Sequence, residues 1–140
     1  MWVFLAILSS LTAALVAILG KLGLKHIDTT LATTIRSLVM AVFLLSTSLI
    51  LGKWHSFSSQ HLSAKDWLLI ILSGVAGALS WLFYFLALKK GAAAGVAAID
   101  RLSVIWVVLL AALFLGEKFG WRGALGSVLM VLGALLISWR

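Results

Sequence analysis

The sequence predicts an all-α integral membrane protein, a bundle of five transmembrane helices. Hydrophobic residues make up 64% of the 140-residue chain and charged residues only 11%, whereas soluble domains carry about 25% charged residues. A chain of this length cannot bury so much apolar surface in one water-facing core. Five runs also approach the roughly 20 mostly apolar residues that cross the hydrocarbon. Because a helix satisfies its own backbone in lipid, each run is expected to be helical.

The five predicted helices are separated by short connections that contain helix-capping residues. Their expected bounds are 2–20, 31–51, 67–88, 92–115 and 123–139. Asp28, or one of the two threonines after it, is a candidate N-cap of the second helix. Ser63 and Asp66 have nearly the spacing of a capping box before the third helix. Gly116 follows the fourth apolar run and is a candidate left-handed C-cap.

Small residues recur at the spacing that lets two membrane helices approach closely. Gly91 and Gly95 form a GxxxG pattern at the start of the fourth run, and Gly123 and Ser127 form a similar pair in the fifth. Such pairs permit close backbone contact in lipid. Because small residues are common in membrane helices, ordinary packing within the chain is the simpler interpretation of each pair.

The charge pattern and the residue inventory exclude several functional classes. The net charge is +7, but lysine and arginine fall mostly in the connections, where they anchor and orient membrane helices. No basic cluster with interleaved aromatic residues is present, which argues against nucleic-acid binding. The chain has no cysteine, so disulfides and thiolate metal sites are excluded. The sequence shows no nucleophile–base set, phosphate loop or metal cluster, so we expect no enzymatic activity, no bound metal and no cofactor.

The charges in the connections give little preference for either orientation. Five spans place the termini on opposite sides. The N-terminal side carries four basic residues, Lys53, Lys65, Lys118 and Arg122, and the other side carries five, Lys21, Lys25, Lys89, Lys90 and Arg140. Adding the intramembrane Arg36 and Arg101 gives seven against four. Either a partner protein fixes the orientation, or the chain inserts both ways and pairs with an inverted copy.

Three ionisable residues lie inside the predicted spans. At 1.5 Å per residue, Arg36 is about 8–9 Å from the second side, Asp100 about 12 Å and Arg101 about 13–14 Å. An ionisable residue at a helix centre costs about 2.5–3.5 kcal/mol on insertion scales, so these side chains are expected to face an interior or a wet cavity. Three interpretations stay open: a static Arg36–Asp100 pair, contact with substrate or a coupling proton, and snorkelling to lipid headgroups.

Aromatic residues form a stripe on the third predicted helix. Gly77, Trp81, Tyr84 and Phe85 recur at i, i+4, i+7 and i+8, which places them on one face. Aromatic rings beside charged groups suit an organic solute with an apolar body and a polar end. Simple packing against Gly77 is the alternative. The candidate substrate-binding residues are Trp81, Tyr84, Arg101, Ser103 and Ser80, and the candidate coupling or counter-ion residues are Asp100 and Arg36.

The last two runs, "AAIDRLSVIWVVLLAALFLGEKFGWRGALGSVLMVLGALLI", resemble the C-terminal part of an EamA-like domain of the drug/metabolite transporter superfamily. The segment "LSWLFYFLALKKGAAAGVAAID" is similar to the family's aromatic helix and the small-residue helix after it. The resemblance spans essentially the whole chain. It implies that this chain is one half of an inverted-repeat transporter, and that an antiparallel homodimer supplies all ten helices. The chain has no proline, although the family's fourth helix often begins near one. It also lacks the glutamate that shorter relatives carry in helix one, so Asp100 would carry any proton coupling.

These features together predict a small secondary transporter or exporter of a small organic solute, a drug or metabolite, that binds between helices one, three and four. Its expected partners are the lipid bilayer, the solute and an antiparallel second copy, and its expected location is the cytoplasmic (inner) membrane of a prokaryote. The alternative is a non-transporting membrane subunit that assembles with another protein or handles a lipid-linked substrate.

Overall fold

The computed structural model describes residues 1–54, 63–117 and 120–139, and its regular elements there are helices. The helices are α1 (Trp2–Gly23), α2 (Thr29–Ile50), α3 (Ala64–Lys90), α4 (Ala93–Asp100), α5 (Ser103–Leu110), a π-helical turn (Ala111–Leu115) and α6 (Trp121–Ser138). Five stretches are long and apolar enough to cross a membrane, with α4, α5 and the π-helical turn forming one of them. The prediction of five spanning helices is therefore confirmed in the described residues. Lys118 and Arg140 lie outside them.

Two predicted capping groups are present at helix starts, although the helix ends differ from the predicted bounds by up to three residues. Asp28 is the N-cap of α2, and its Oδ1 accepts hydrogen bonds from the amides of Thr30 at 2.9 Å and Leu31 at 3.1 Å. Asp66 Oδ2 accepts from the amide of Ser63 at 2.9 Å, and Ser63 Oγ accepts from the amide of Asp66 at 3.2 Å. These reciprocal bonds form a capping box, which satisfies amides that have no partner inside the helix.

The fourth span is not the single regular helix that the sequence predicts. Between α4 and α5, the amide of Leu102 donates to the carbonyl of Ile99, that of Val104 to Arg101 and that of Ile105 to Leu102. Each of these bonds spans three residues, as in a 3₁₀ turn, so the α-helical ladder is interrupted here. The span then ends in the π-helical turn and at Gly116, whose φ of 68° confirms the left-handed C-cap. No glycine or proline lies between Ile99 and Ile105, so helix propensity gives no account of the interruption.

The spanning helices expose nearly all of their apolar side chains. In the most apolar window of each span, at most 6% of residues are buried. In water, so large an apolar surface would drive aggregation. Within a bilayer these side chains face lipid or another membrane helix, as expected for an integral membrane protein.

The chain divides into two compact units. The terminal unit comprises Met1–Lys21 and Lys90–Arg140, and the middle unit comprises Leu22–Lys89. In the terminal unit, α4 packs on the end of α6, where a Cβ placed on Gly95 would lie 3.6 Å from Ser138 Cα. Lys21 Nζ, near the end of α1, donates to the carbonyl of Gly91 at 2.8 Å. The small-residue pattern at Gly95 is therefore used for packing within the chain.

The middle unit is formed by α2, α3 and the segment before α2. Thr29 and Thr33 on α2 and Leu88 on α3 are buried, and Thr33 Oγ1 donates to the carbonyl of Thr29 at 2.7 Å. Lys89 Nζ donates to the carbonyl of Ile27 at 3.2 Å. The positive charge of Lys89 also acts on the carboxylate of Asp28 at the start of α2. The hydrogen bond ties the end of α3 to the connection before α2.

Candidate functional site

The arginine of α2 packs on the aromatic stripe of α3. The guanidinium carbon of Arg36 lies 3.8 Å from the centroid of the Trp81 ring and 5.2 Å from that of Phe85. Both distances are within the range at which a cation is attracted by the negative face of a ring. The position of Arg36 follows from helix geometry, since Thr29, Thr33 and Arg36 recur at i, i+4 and i+7 on the buried face of α2.

The three aromatic rings of the stripe on α3 pack against one another. The centroids of Trp81 and Tyr84 are 5.6 Å apart, those of Trp81 and Phe85 are 5.7 Å apart and those of Tyr84 and Phe85 are 5.9 Å apart. Tyr84 stands nearly perpendicular to Trp81, at 82°, an edge-to-face arrangement that the ring quadrupoles favour. We call Arg36, Trp81, Tyr84 and Phe85 the aromatic–arginine cluster.

One nitrogen of the arginine is buried without a partner. Arg36 Nη1 has no hydrogen bond to any described residue. A buried donor without an acceptor costs about 1–3 kcal/mol, and more when it is charged. The cluster therefore holds a cation whose charge is partly offset by the rings and whose Nη1 has no acceptor among the described residues.

Asp100 and Arg101 lie at the interruption of the fourth span, in the terminal unit. Asp100 is the last residue of α4 and Arg101 begins the turn to α5. Both residues are exposed on the isolated chain. A 3₁₀ turn within a longer helix often marks a hinge, and the C-terminus of one helical segment and the N-terminus of the next carry opposite partial charges. The two ionisable residues of this span thus stand where its backbone is least regular.

The structure brings together only part of the predicted site. Trp81 and Tyr84 contact each other, and Arg36 contacts Trp81 in the middle unit. Ser80 and Ser103 are exposed. Because Asp100 and Arg101 belong to the terminal unit, their roles and the Arg36–Asp100 pair stay predictions.

Sequence reasoning misses two features near these residues. It places Phe85 on the aromatic stripe but not among the candidate substrate-binding residues. The i+4 spacing from Trp81 already indicates that the two side chains share a helix face. It also misses the contact of Arg36 with these rings. The signal is the i, i+4, i+7 pattern of Thr29, Thr33 and Arg36, which points the arginine toward another helix rather than toward lipid.

A groove of about 350 Å³ lies beside α4 in the terminal unit. Its lining includes Gly95, Ile99 and Ser138, and no charged side chain among the described residues contributes to it. The lining of this groove is mostly apolar, so it offers few of the polar anchor points that orient a small ligand.

Ionisable residues inside apolar spanning helices, here Arg36, Asp100 and Arg101, often mark the pathways of solutes or ions across membranes. Residues 1–139 match the EamA-like transporter family. The chain belongs to that family, and it is a membrane transporter.

The chain is also similar to a curated protein. It is 40% identical over 137 residues to an uncharacterized transporter in the cobO 3′ region of Sinorhizobium sp, a match that covers 98% of this chain and 96% of that protein. No solved structure matches the chain.

Proposed function

We propose that the protein is a small secondary transporter that exports a small organic solute by alternating access, as an antiparallel homodimer. The aromatic–arginine cluster carries this proposal. Ionisable residues inside membrane spans are expensive and are functional candidates by default. Arg36 is held by two rings and retains an unused donor, which is the arrangement expected of a polar anchor in an otherwise apolar binding site.

The interruption of the fourth span supports the alternating-access part of the proposal. Transporters rock one element against another around a site near the midplane, and their helices are often discontinuous there. The 3₁₀ turn at Arg101 gives this span a place to bend. Asp100 beside it is the proposed proton carrier or counter-ion, with Arg101 and Ser103 in contact with solute.

The antiparallel pairing rests on topology and charge. Five spans put the termini on opposite sides, and the basic residues of the connections are nearly balanced. Two copies of opposite orientation would form an inverted repeat, the symmetry on which alternating access is commonly built. The extensive exposed apolar surface of the helices leaves room for such an interface.

The test is solute efflux from liposomes that contain only the purified chain. We expect efflux of at least one solute from a broad panel, and we expect Trp81→Leu to lower its rate about tenfold, because a desolvated ring–cation contact contributes about 1–2 kcal/mol. Phe83→Leu is the matched control, since Phe83 lies on the same helix and is 64% exposed. Absence of flux for every solute, with constant co-purification of another protein, would instead support the non-transporting subunit.

A further inference from the structure

We infer that the aromatic–arginine cluster binds the carboxylate of a small organic anion, with the apolar body of that anion against Trp81 and Tyr84. This inference rests on the proposed function and specifies the class of its solute.

The contact of Arg36 with the rings does not satisfy the hydrogen-bond donors of Nη1. A guanidinium is planar and its five N–H donors lie in that plane. The approach to Trp81 at 3.8 Å engages the positive charge, but a ring face takes up the charge and does not replace an oxygen acceptor. Nη1 is buried and without a partner among the described residues. An acceptor that reached Nη1 would satisfy these donors.

The middle unit supplies no carboxylate for this purpose. Its two acidic residues are Asp28 and Asp66, and each accepts hydrogen bonds at the start of a helix, Asp28 from Thr30 and Leu31, and Asp66 from Ser63. These bonds hold both carboxylates at the helix ends. Within the described residues of this unit, the charge of Arg36 is therefore met by aromatic rings alone.

The chemistry of the cluster favours a carboxylate over other groups. Two parallel N–H donors of a guanidinium match the two oxygens of a carboxylate, and this pairing is stronger than a neutral hydrogen bond. The packed rings offer an apolar surface beside that pair. A cationic solute would be repelled by Arg36, and a neutral amide would form a weaker bond. A lipid phosphate shares the oxyanion chemistry and is separated from a solute by the test.

The test measures binding of three probes that share one apolar body: 3-phenylpropionate, 3-phenylpropionamide and 3-phenylpropylamine. Equilibrium dialysis against the full chain, purified in detergent at neutral pH, is expected to show binding of the acid only. Arg36→Gln should weaken it about 10- to 100-fold, the effect of losing a charged hydrogen bond. Arg36→Lys should have an affinity between those of the wild type and Arg36→Gln, because lysine keeps the positive charge but lacks the planar pair of N–H donors. Arg122→Gln is the control, since the guanidinium carbon of Arg122 lies 5.9 Å from the centroid of the Trp121 ring, in a second arginine–tryptophan contact.

Three results would overturn the inference. Equal binding of acid and amide would show that Arg36 does not select a carboxylate. Acid binding that appears only in Asp100→Asn would show that Asp100 occupies Arg36 in the native protein. A phospholipid that co-purifies with the wild type, is lost in Arg36→Gln and is not displaced by 3-phenylpropionate would identify a lipid headgroup as the ligand.

Flux measurements separate failure of this inference from failure of the proposed function. If liposomes transport the amine or the amide but not the acid, the proposed transport function is supported and the assignment of an anionic solute is wrong. If the acid binds through Arg36 but neither it nor any other solute crosses the membrane, the anion site stands and the transporter proposal falls.

Discussion

At the residue scale, the contact between Arg36 and Trp81 explains how a permanently charged side chain is accommodated in an apolar span. The guanidinium is weakly hydrated and stacks on aromatic rings more readily than an ammonium would. The rings offset part of its desolvation cost, and Nη1 has no hydrogen-bond partner among the described residues. A lysine here would keep the charge and lose the planar fork. The residue identity therefore matters more than the charge alone.

Asp28 gives a pH-dependent prediction outside the membrane-spanning segments. Its pKa is lowered below the ordinary 3.8, first by the hydrogen bond from the Leu31 amide, then by that from Thr30 and by the charge of Lys89, while partial desolvation opposes the shift. Because the folded-state pKa is the lower one, the stabilisation is present above the unfolded pKa and is lost as pH falls through the folded pKa.

We therefore expect the melting temperature of the wild type to fall relative to that of Asp28→Asn as pH decreases below about 4. Asparagine keeps a capping oxygen and does not titrate. Thermal unfolding of both proteins in detergent over a pH series measures this difference. A constant difference across the series would show that the Asp28 charge contributes nothing.

Gly116 gives a second residue-scale prediction. Its φ of 68° is a left-handed conformation that disfavours a Cβ, so Gly116→Ala should lower the free energy of unfolding by about 1–2 kcal/mol. Gly126 lies inside α6, where an added Cβ would meet open space, and Gly126→Ala should be neutral or stabilising. Denaturation curves of both variants in the same detergent check the pair, and equal destabilisation would contradict the conformational account.

At the scale of elements, the packing of α4 on α6 depends on the absence of a side chain at Gly95. The nearest atoms to a Cβ there are those of Ser138, at 3.6–3.9 Å, and Ser138 Oγ donates to the carbonyls of Ala134 at 2.7 Å and Gly95 at 3.4 Å. The distances are ordinary contacts for one methyl group. They leave no room for a branched chain.

We expect Gly95→Ala to change stability by less than about 1 kcal/mol and Gly95→Leu to destabilise by about 1–3 kcal/mol, because overpacking forces helices apart. A disulfide between cysteines introduced near residues 95 and 138 should form in the wild-type background and in Gly95→Ala but not in Gly95→Leu. Efficient cross-linking in Gly95→Leu would show that these helices are not held by this contact.

At the scale of the whole molecule, the proposed antiparallel homodimer requires that the chain insert in both orientations, which the near balance of basic residues permits. Paired C-terminal reporters, one active inside the cell and one outside, should both give signal. Adding two lysines to the connection after α1 should shift the population to one orientation and lower transport, because antiparallel pairs would become rare. Signal from a single reporter in the unmodified chain would remove the antiparallel homodimer.

The sequence by itself determined the membrane class, the five spans, an N-cap at Asp28 or one of the two threonines after it, the capping residues Ser63 and Asp66, and the left-handed glycine at Gly116. These features depend on hydropathy and on hydrogen bonds between residues a few positions apart, so a short window of sequence contains their cause.

Only the tertiary structure decided that Arg36 rests on Trp81 and Phe85, and that the fourth span is interrupted after Asp100. The first contact joins side chains of two helices, and their relative rotation is set by packing rather than by either sequence alone. The interruption of the fourth span occurs where the sequence has no glycine or proline. It consists of a change in backbone hydrogen-bond partners that helix propensity does not predict.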